Sequence, residues 1–276
     1  MNNSKFNIFI NKKTVSIFDR GFNYGDGLFE TILVKDLSPL YLKEHLQRLH
    51  KGCVKLKIQK PSLLTIKNNI KKCIGKSNNC IIKIILTRGI GSLGYEFINS
   101  IKPNLYFIKI KNNVKDSDLT SSVNLGIAKY EIKENTYLSK IKHINRIDQA
   151  LIASELNKAK NINDLLVINK GLIIETLASN IFFVKKIKNN LTFYTPKLDN
   201  YGIDGVMRNV IINYLKKKKY KIYVVEIPLT KIKFYNYCFK VNTIKGLVFI
   251  DSIQKKKFPK ADMLYNIFNN FIYTQK

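Results

Sequence analysis

DLLVINKGLIIETLASNIFFVKK, residues 164–186, is rich in β-branched and aromatic residues and is broken at two points by turn residues. The NKG at 169–171 reads as a hairpin turn, which predicts strands over 164–169 and 172–177. A third strand follows at 180–186. Three strands in direct succession leave no room for the helical crossovers of a doubly wound Rossmann sheet. The expected class is therefore α+β, with mostly mixed or antiparallel sheet.

The same reading extends in both directions. Upstream, VNLGIAKYEI (123–132) opens the second half, followed by a helix at 146–160, whose apolar side carries Ile147, Ala150, Leu151, Leu156 and Ala159. Downstream, LTFYTP, KIYVVEI and FKVNT read as strands, GLVFIDS as extended, a helix starts near 206, and ADMLYNIFNNFIY closes the chain as an amphipathic helix. The first part reads as strands at 7–15, 28–35, 80–89 and 104–111, with a glycine-punctuated turn before Leu28 and helices at 44–56 and 61–75. The polar stretch NNVKDSDLTSS (112–122) is the expected linker between an N-terminal lobe, 1–115, and a C-terminal lobe, 121–276. There is no internal repeat.

The 276 residues are 45% apolar, enough for a core, and the formal net charge is +29. Such a charge invites a nucleic-acid or membrane partner. The lysines, however, are spread evenly among asparagines and isoleucines, the longest basic block is the KKKK of 216–219, and no RNA-reading or zinc-finger pattern occurs. No stretch has the ~18 apolar residues of a membrane span, and no secretory leader is visible. The expectation is a cytoplasmic enzyme with neither partner. The four cysteines form no CxxC pair, so reduced thiols are expected.

In so lysine-rich a chain, the five arginines stand out: Arg20, Arg48, Arg88, Arg146 and Arg208. A planar fork is worth keeping where a carboxylate or phosphate must be held. Eight of the 13 glycines cluster beside them, at 21–27, 89–94 and 202–205. Four further features carry chemistry. Lys142 stands at a helix entry, where a desolvated lysine becomes a nucleophile. Glu175 sits in an apolar strand and could hold a pyridine nitrogen protonated. GIDGVMRN (202–209) opens a helix with backbone N–H groups suited to phosphate. Thr243, in VNTIKG, offers a hydroxyl. Taken singly, each has an ordinary alternative: a surface lysine, an outward-pointing glutamate, a helix start among many.

Taken in order, FDRGFNYGDGLFETI, HLQRL, KHINR, GLIIETLASNIF, GIDGVMR and NTIKG resemble the fold-type IV pyridoxal-phosphate enzymes from about residue 7 to 250. That family includes branched-chain and D-amino acid aminotransferases and aminodeoxychorismate lyases. The resemblance implies a two-lobed fold with a small N-terminal α/β lobe and a larger C-terminal pseudo-barrel lobe, pyridoxal 5′-phosphate as cofactor, and a homodimer. It assigns the Schiff-base lysine to Lys142 rather than Lys140, the pyridine-nitrogen carboxylate to Glu175, and the phosphate contacts to Arg48, Val206, Met207 and Thr243. LTRGIGSLGY (86–95) and KHINR are similar to the lyase branch, and Thr31 stands where a branched-chain aminotransferase carries glycine. On this reading Arg88 recognises a substrate carboxylate, and Thr31, Asn145 and Arg146 line the substrate side. The expected activity is a lyase yielding 4-aminobenzoate and pyruvate from 4-amino-4-deoxychorismate. The alternatives are an aminotransferase of the same fold and, more remotely, a basic nucleic-acid-binding protein.

Overall fold

The computed structural model describes residues 5–91, 94–96, 101–114, 122–156, 161–260 and 262–272, the last without side chains from 269 onward. Ser92 and Leu93 of the lyase-like segment, 115–121 of the expected linker and 157–160 of the expected helix lie outside them. The chain divides into two compact units: Met1–Asn113 with Ile141–Arg146, and Val114–Lys140 with Ile147–Gln275. The 141–146 excursion departs from the single break expected near 112–122. It follows from backbone pairing, since His143 bridges Leu28 and Ile144 N–H donates to Gly27 O.

The first unit contains β1 (Asn7–Ile10), α1 (Arg20–Tyr24), β2 (Gly27–Lys35), β3 (Ser38–Pro39), α2 (Leu42–Leu56), α3 (Leu63–Ile74), β4 (Asn79–Thr87) and β5 (Asn104–Lys111). The five strands form one sheet in the order β1-β5-β4-β2-β3. β2 and β4 alternate along most of their length, with Leu28, Ile32 and Val34, and Cys80, Ile82, Ile84 and Leu86, all buried. α3 repeats Ile66, Asn69, Ile70, Cys73 and Ile74 at helical spacing, and the Ser62 hydroxyl caps it through Thr65 N–H at 3.0 Å. β1 stops at Ile10 rather than running to 15, because Asn11 has φ 51° and its side-chain oxygen takes the Lys109 N–H. The turn expected before Leu28 contains the short helix α1, capped by Asp19.

The second unit contains β6 (Ser122–Ile127), α4 (Ile147–Leu156), β7 (Asp164–Asn169), β8 (Leu172–Thr176), β9 (Asn180–Ile187), β10 (Asn190–Pro196), α5 (Val206–Lys217), β11 (Lys221–Val225), β12 (Ile227–Pro228), a 3-10 turn (Leu229–Phe234), β13 (Tyr237–Asn242), β14 (Gly246–Ile253), β15 (Lys256–Lys257) and α6 (Asp262–Ile272). β6 ends at Ile127, and just beyond it the Glu155 carboxylate takes the Lys129 and Tyr130 N–H groups.

The sheet order is β11-β10-β9-β13-β14-β6-β7-β8-β12, with β15 on β14. KIYVVEI, expected as one strand, therefore supplies both ends of this order, with Glu226 alone between β11 and β12. Two edge strands one residue apart require the sheet to curl until its edges meet. That curl makes a pseudo-barrel. Leu125, Leu166, Ile173, Ile181, Phe183, Cys238 and Ile250 fill one core. Leu165, Val167 and Ile174 turn the other way, into a second core with Ile152 of α4. Elsewhere on the sheet, Phe239 packs against Phe182 and Phe268, the latter on α6. Burial on both faces explains why 164–186 reads as nearly continuous apolar sequence.

Candidate active site

In the first unit, β2 places Glu30 on the buried face with Leu28 and Ile32, and α2 sets His45 and Arg48 one turn apart above it. Arg48 donates Nε to Glu30 Oε1 at 2.8 Å and Nη2 to Oε2 at 2.6 Å, while His45 Nδ1 lies 2.6 Å from Oε2. Burial alone would raise the Glu30 carboxyl, but the Arg48 charge and the hydrogen bonds from Arg48 and His45 outweigh it and hold it at about 2. Burial lowers His45 below its ordinary value, against the pull of Glu30 and with help from the Arg48 and Lys142 charges. A neutral His45 donates Nδ1–H to the carboxylate, and its buried Nε2 meets no hydrogen-bond partner among the described residues.

Both groups make the first unit acid-sensitive. The unfolded chain takes up protons first at each, so stability falls with falling pH: at His45 below about 6.5, and at Glu30 between about 4.5 and about 2. Urea midpoints measured from pH 7 to 3 should decline from about pH 6 onward. His45→Gln should remove the upper part of that decline and leave the lower.

Lys142 is brought to the opposite face of β2. The Phe29 N–H donates to Lys142 O at 2.9 Å, which sets residue 142 opposite 29, and Lys142 Nζ lies 4.5 Å from the Phe29 ring centre. Lys140 has a different task. Its N–H donates to Gly202 O, its carbonyl accepts from Asp204 N, and its exposed amine pairs with Asp199 at 2.8 Å. On the Phe29 face, Thr31 is half-buried opposite Lys83. A cleft of about 440 Å³ there is lined by Lys12, Phe29, Lys83, Ile144 and Arg146, among others. Arg146 donates to the carbonyls of His143 and Ile141, bracing its own segment, and Asn145 is exposed.

Arg88 corrects the sequence reading. Only 7% exposed, it grips Asp26 with Nε at 2.6 Å and Nη2 at 3.0 Å, and gives Nη1 to Lys57 O and Nη2 to Leu56 O. Asp26 also accepts from Arg20, whose other donors reach the carbonyls of Gly94, Tyr95 and Glu96. The Arg88 fork holds a carboxylate of its own chain and the end of α2, so it braces the first unit. Arg88→Gln should destabilise the fold by about 2 kcal/mol, since the half-buried Asp26 keeps Arg20 as a partner while the carbonyls at the end of α2 lose theirs, readable in urea denaturation.

In the second unit, Glu175 on β8 is 5% exposed. Its Oε2 accepts from Ile203 N–H at 3.0 Å and from Asn180 Nδ2 at 3.4 Å. Gly202 has φ +62°, a conformation that favours glycine, and a Cβ there would sit 3.2 Å from the Glu175 carboxyl carbon. Gly205 is the N-cap of α5 and offers no side-chain cap; a Cβ on it would overlap Asn180 Oδ1. The first-turn amides of α5, including Val206 and Met207, therefore face an end that suits an anion. Thr243 follows β13 in a turn held by Asn242 Oδ1, which accepts from the amides of Ile244 and Lys245. Glu30 was legible by the logic applied to Glu175, an acid inside an apolar strand. His45 stands three residues before Arg48 on the same helix. Neither was singled out, nor was Asn180.

Residues 27–253 match the family model described as amino-transferase class IV. The chain belongs to that family. Among class IV relatives, an aminodeoxychorismate lyase of Vibrio harveyi is 28% identical, covering 87% of each chain. A putative branched-chain-amino-acid aminotransferase of Methanocaldococcus jannaschii is also 28% identical, over 78% of this chain and 74% of its own. The crystal structure of 4-amino-4-deoxychorismate lyase from Pseudomonas aeruginosa superimposes with a TM-score of 0.86 at 23% identity, covering 94% of each chain, and so shows the shared fold. Two-lobed fold-type IV architecture, expected from the motif order, is thereby found.

Proposed function

We propose that this class IV protein is a pyridoxal-phosphate-dependent lyase that converts 4-amino-4-deoxychorismate to 4-aminobenzoate and pyruvate, in folate synthesis. The observation that carries the reading is Lys142, tied by its backbone to β2 with its amine against Phe29, in a chain whose lyase relative matches over 87% of both lengths. The residues present fit the cofactor. Glu175 is a buried carboxylate already ordered by two donors, and α5 opens on uncapped amides beside a glycine with no room for a Cβ.

When bound, pyridoxal phosphate supplies an electron-withdrawing ring that stabilises charge on the substrate carbon. Glu175 would accept a hydrogen bond from the ring N–H and keep that proton in place. In the second unit the amides of Val206 and Met207 and the Thr243 hydroxyl would take the phosphate; Arg48, its fork aimed by Glu30, keeps the phosphate role that the family resemblance gives it. Lys142 Nζ would anchor the cofactor and then take the proton from C4 of the substrate; the C3–O bond breaks, the enolpyruvyl group departs as enolpyruvate, and its protonation gives pyruvate. Thr31, Asn145 and Arg146 would line the substrate side.

We assign the protein to the cytoplasm as a homodimer. All four cysteines are unpaired and buried, as suits a reducing compartment, and among the described residues no helix is long and apolar enough to cross a membrane. Incubation with pyridoxal phosphate and 4-amino-4-deoxychorismate should release pyruvate and 4-aminobenzoate in equal amounts. Amino-group transfer from D-alanine or leucine to 2-oxoglutarate, without those products, would make it a transaminase instead.

A further inference from the structure

Asn180 joins two parts of the second unit that the proposed chemistry uses separately. Its Nδ2 donates to Ile203 O at 2.9 Å and to Glu175 Oε2 at 3.4 Å, while its Oδ1 abuts Gly205. The amide orientation is dictated, because the reverse would set an oxygen against two acceptors. The Ile203 N–H, from the same peptide run, donates to the same Glu175 oxygen. One 5%-exposed side chain thus ties the carboxylate of β8 to the turn that opens α5.

We propose that Asn180 is a positioning residue, which locks the Glu175 carboxylate to the 202–205 turn so that the groups for the ring nitrogen and for the phosphate hold one spacing. This rests on the cofactor reading above. The requirement is chemical as well as steric. Aspartate has the same shape, but when ionised it has no donor for either acceptor and sets a second negative charge beside Glu175. Protonated, it regains one O–H donor. The charged groups on the elements around it are Glu175, Asp204 and Arg208; Arg208 pairs with Asp204 at 3.2 Å and also interacts with the Glu175 charge.

The test compares wild type, Asn180→Asp and Asn180→Ala. Pyridoxal phosphate affinity is read by cofactor absorbance after dialysis, and melting of the cofactor-free proteins is followed from about pH 8 to about pH 5. Asn180→Asp should bind the cofactor roughly 10-fold or more weakly at the upper pH, in keeping with loss of a hydrogen bond to a charged group. The deficit should shrink as the pH falls, and the melting gap to wild type should close over the same range. Asn180→Ala should show a deficit that does not change with pH. The acid sensitivity of Glu30 and His45 is common to all three proteins and cancels in the differences. If Asn180→Asp equals wild type, or shows the same deficit at every pH, the proposal is overturned. If wild type binds no cofactor, the cofactor reading fails, and the pH-dependent melting gap alone decides whether the tether exists.

Discussion

Replacing Lys142 by alanine should abolish turnover, by at least the roughly 10²–10⁴-fold that a positioned acid–base group contributes. The structure predicts that the loss is catalytic rather than a failure to fold. The 142 carbonyl that accepts from Phe29 N–H is backbone and survives the substitution, and the amine–ring contact at 4.5 Å is worth about 1 kcal/mol. Urea denaturation should therefore show a nearly native protein. Borohydride reduction of wild type should fix the cofactor to Lys142, and the alanine variant should remain unlabelled. Lys140→Ala is the control. Its ion pair with Asp199 is about half exposed, so its loss should leave both stability and turnover close to native. Near-native activity in Lys142→Ala would sink the assignment.

The second large effect lies away from the chemistry. Lys240 on β13 and Asp164 on β7 form an ion pair at 2.5 Å, with both side chains 9% exposed. Alternation puts Lys240 on the face of Cys238 and Asp164 on the face of Leu166, so the pair lies with the core that fills the curled sheet. Removing one partner strands the other charge in apolar surroundings, which costs about 3–5 kcal/mol. Lys240→Met should lower the unfolding free energy by that amount, with the double variant Lys240→Met/Asp164→Asn regaining most of it. The regain matters as much as the loss, because it shows that the penalty comes from the unpaired charge rather than from a lost attraction. A single-variant cost below about 1 kcal/mol would mean that water reaches the pair.

Much of the fold was legible from local pattern. β2, β4, α2 and α3 reveal themselves by alternation or helical spacing, and the 164–186 run announces its hairpin through Asn169, Lys170 and Gly171. Lys142 and Glu175 stood out because the residue types are costly where they occur and the motif order is that of a known family. The errors share one cause. KIYVVEI reads as one strand because nothing in its seven residues reports that the sheet closes around Glu226. Arg88 reads as a free fork because its carboxylate, Asp26, lies 62 residues away.

Sequence alone determined most of the strands and helices, because those depend on neighbours within a turn or a pleat, and it raised Lys142 and Glu175 as candidates by residue type and motif order. Tertiary structure alone decided that Arg88 is a brace, that Glu30 and His45 stand behind Arg48, that Asn180 ties Glu175 to the turn before α5, and that Lys240 is paired. Charged and amide groups take their roles from whichever partner satisfies them, and for Lys240 that partner, Asp164, is 76 residues away in the chain.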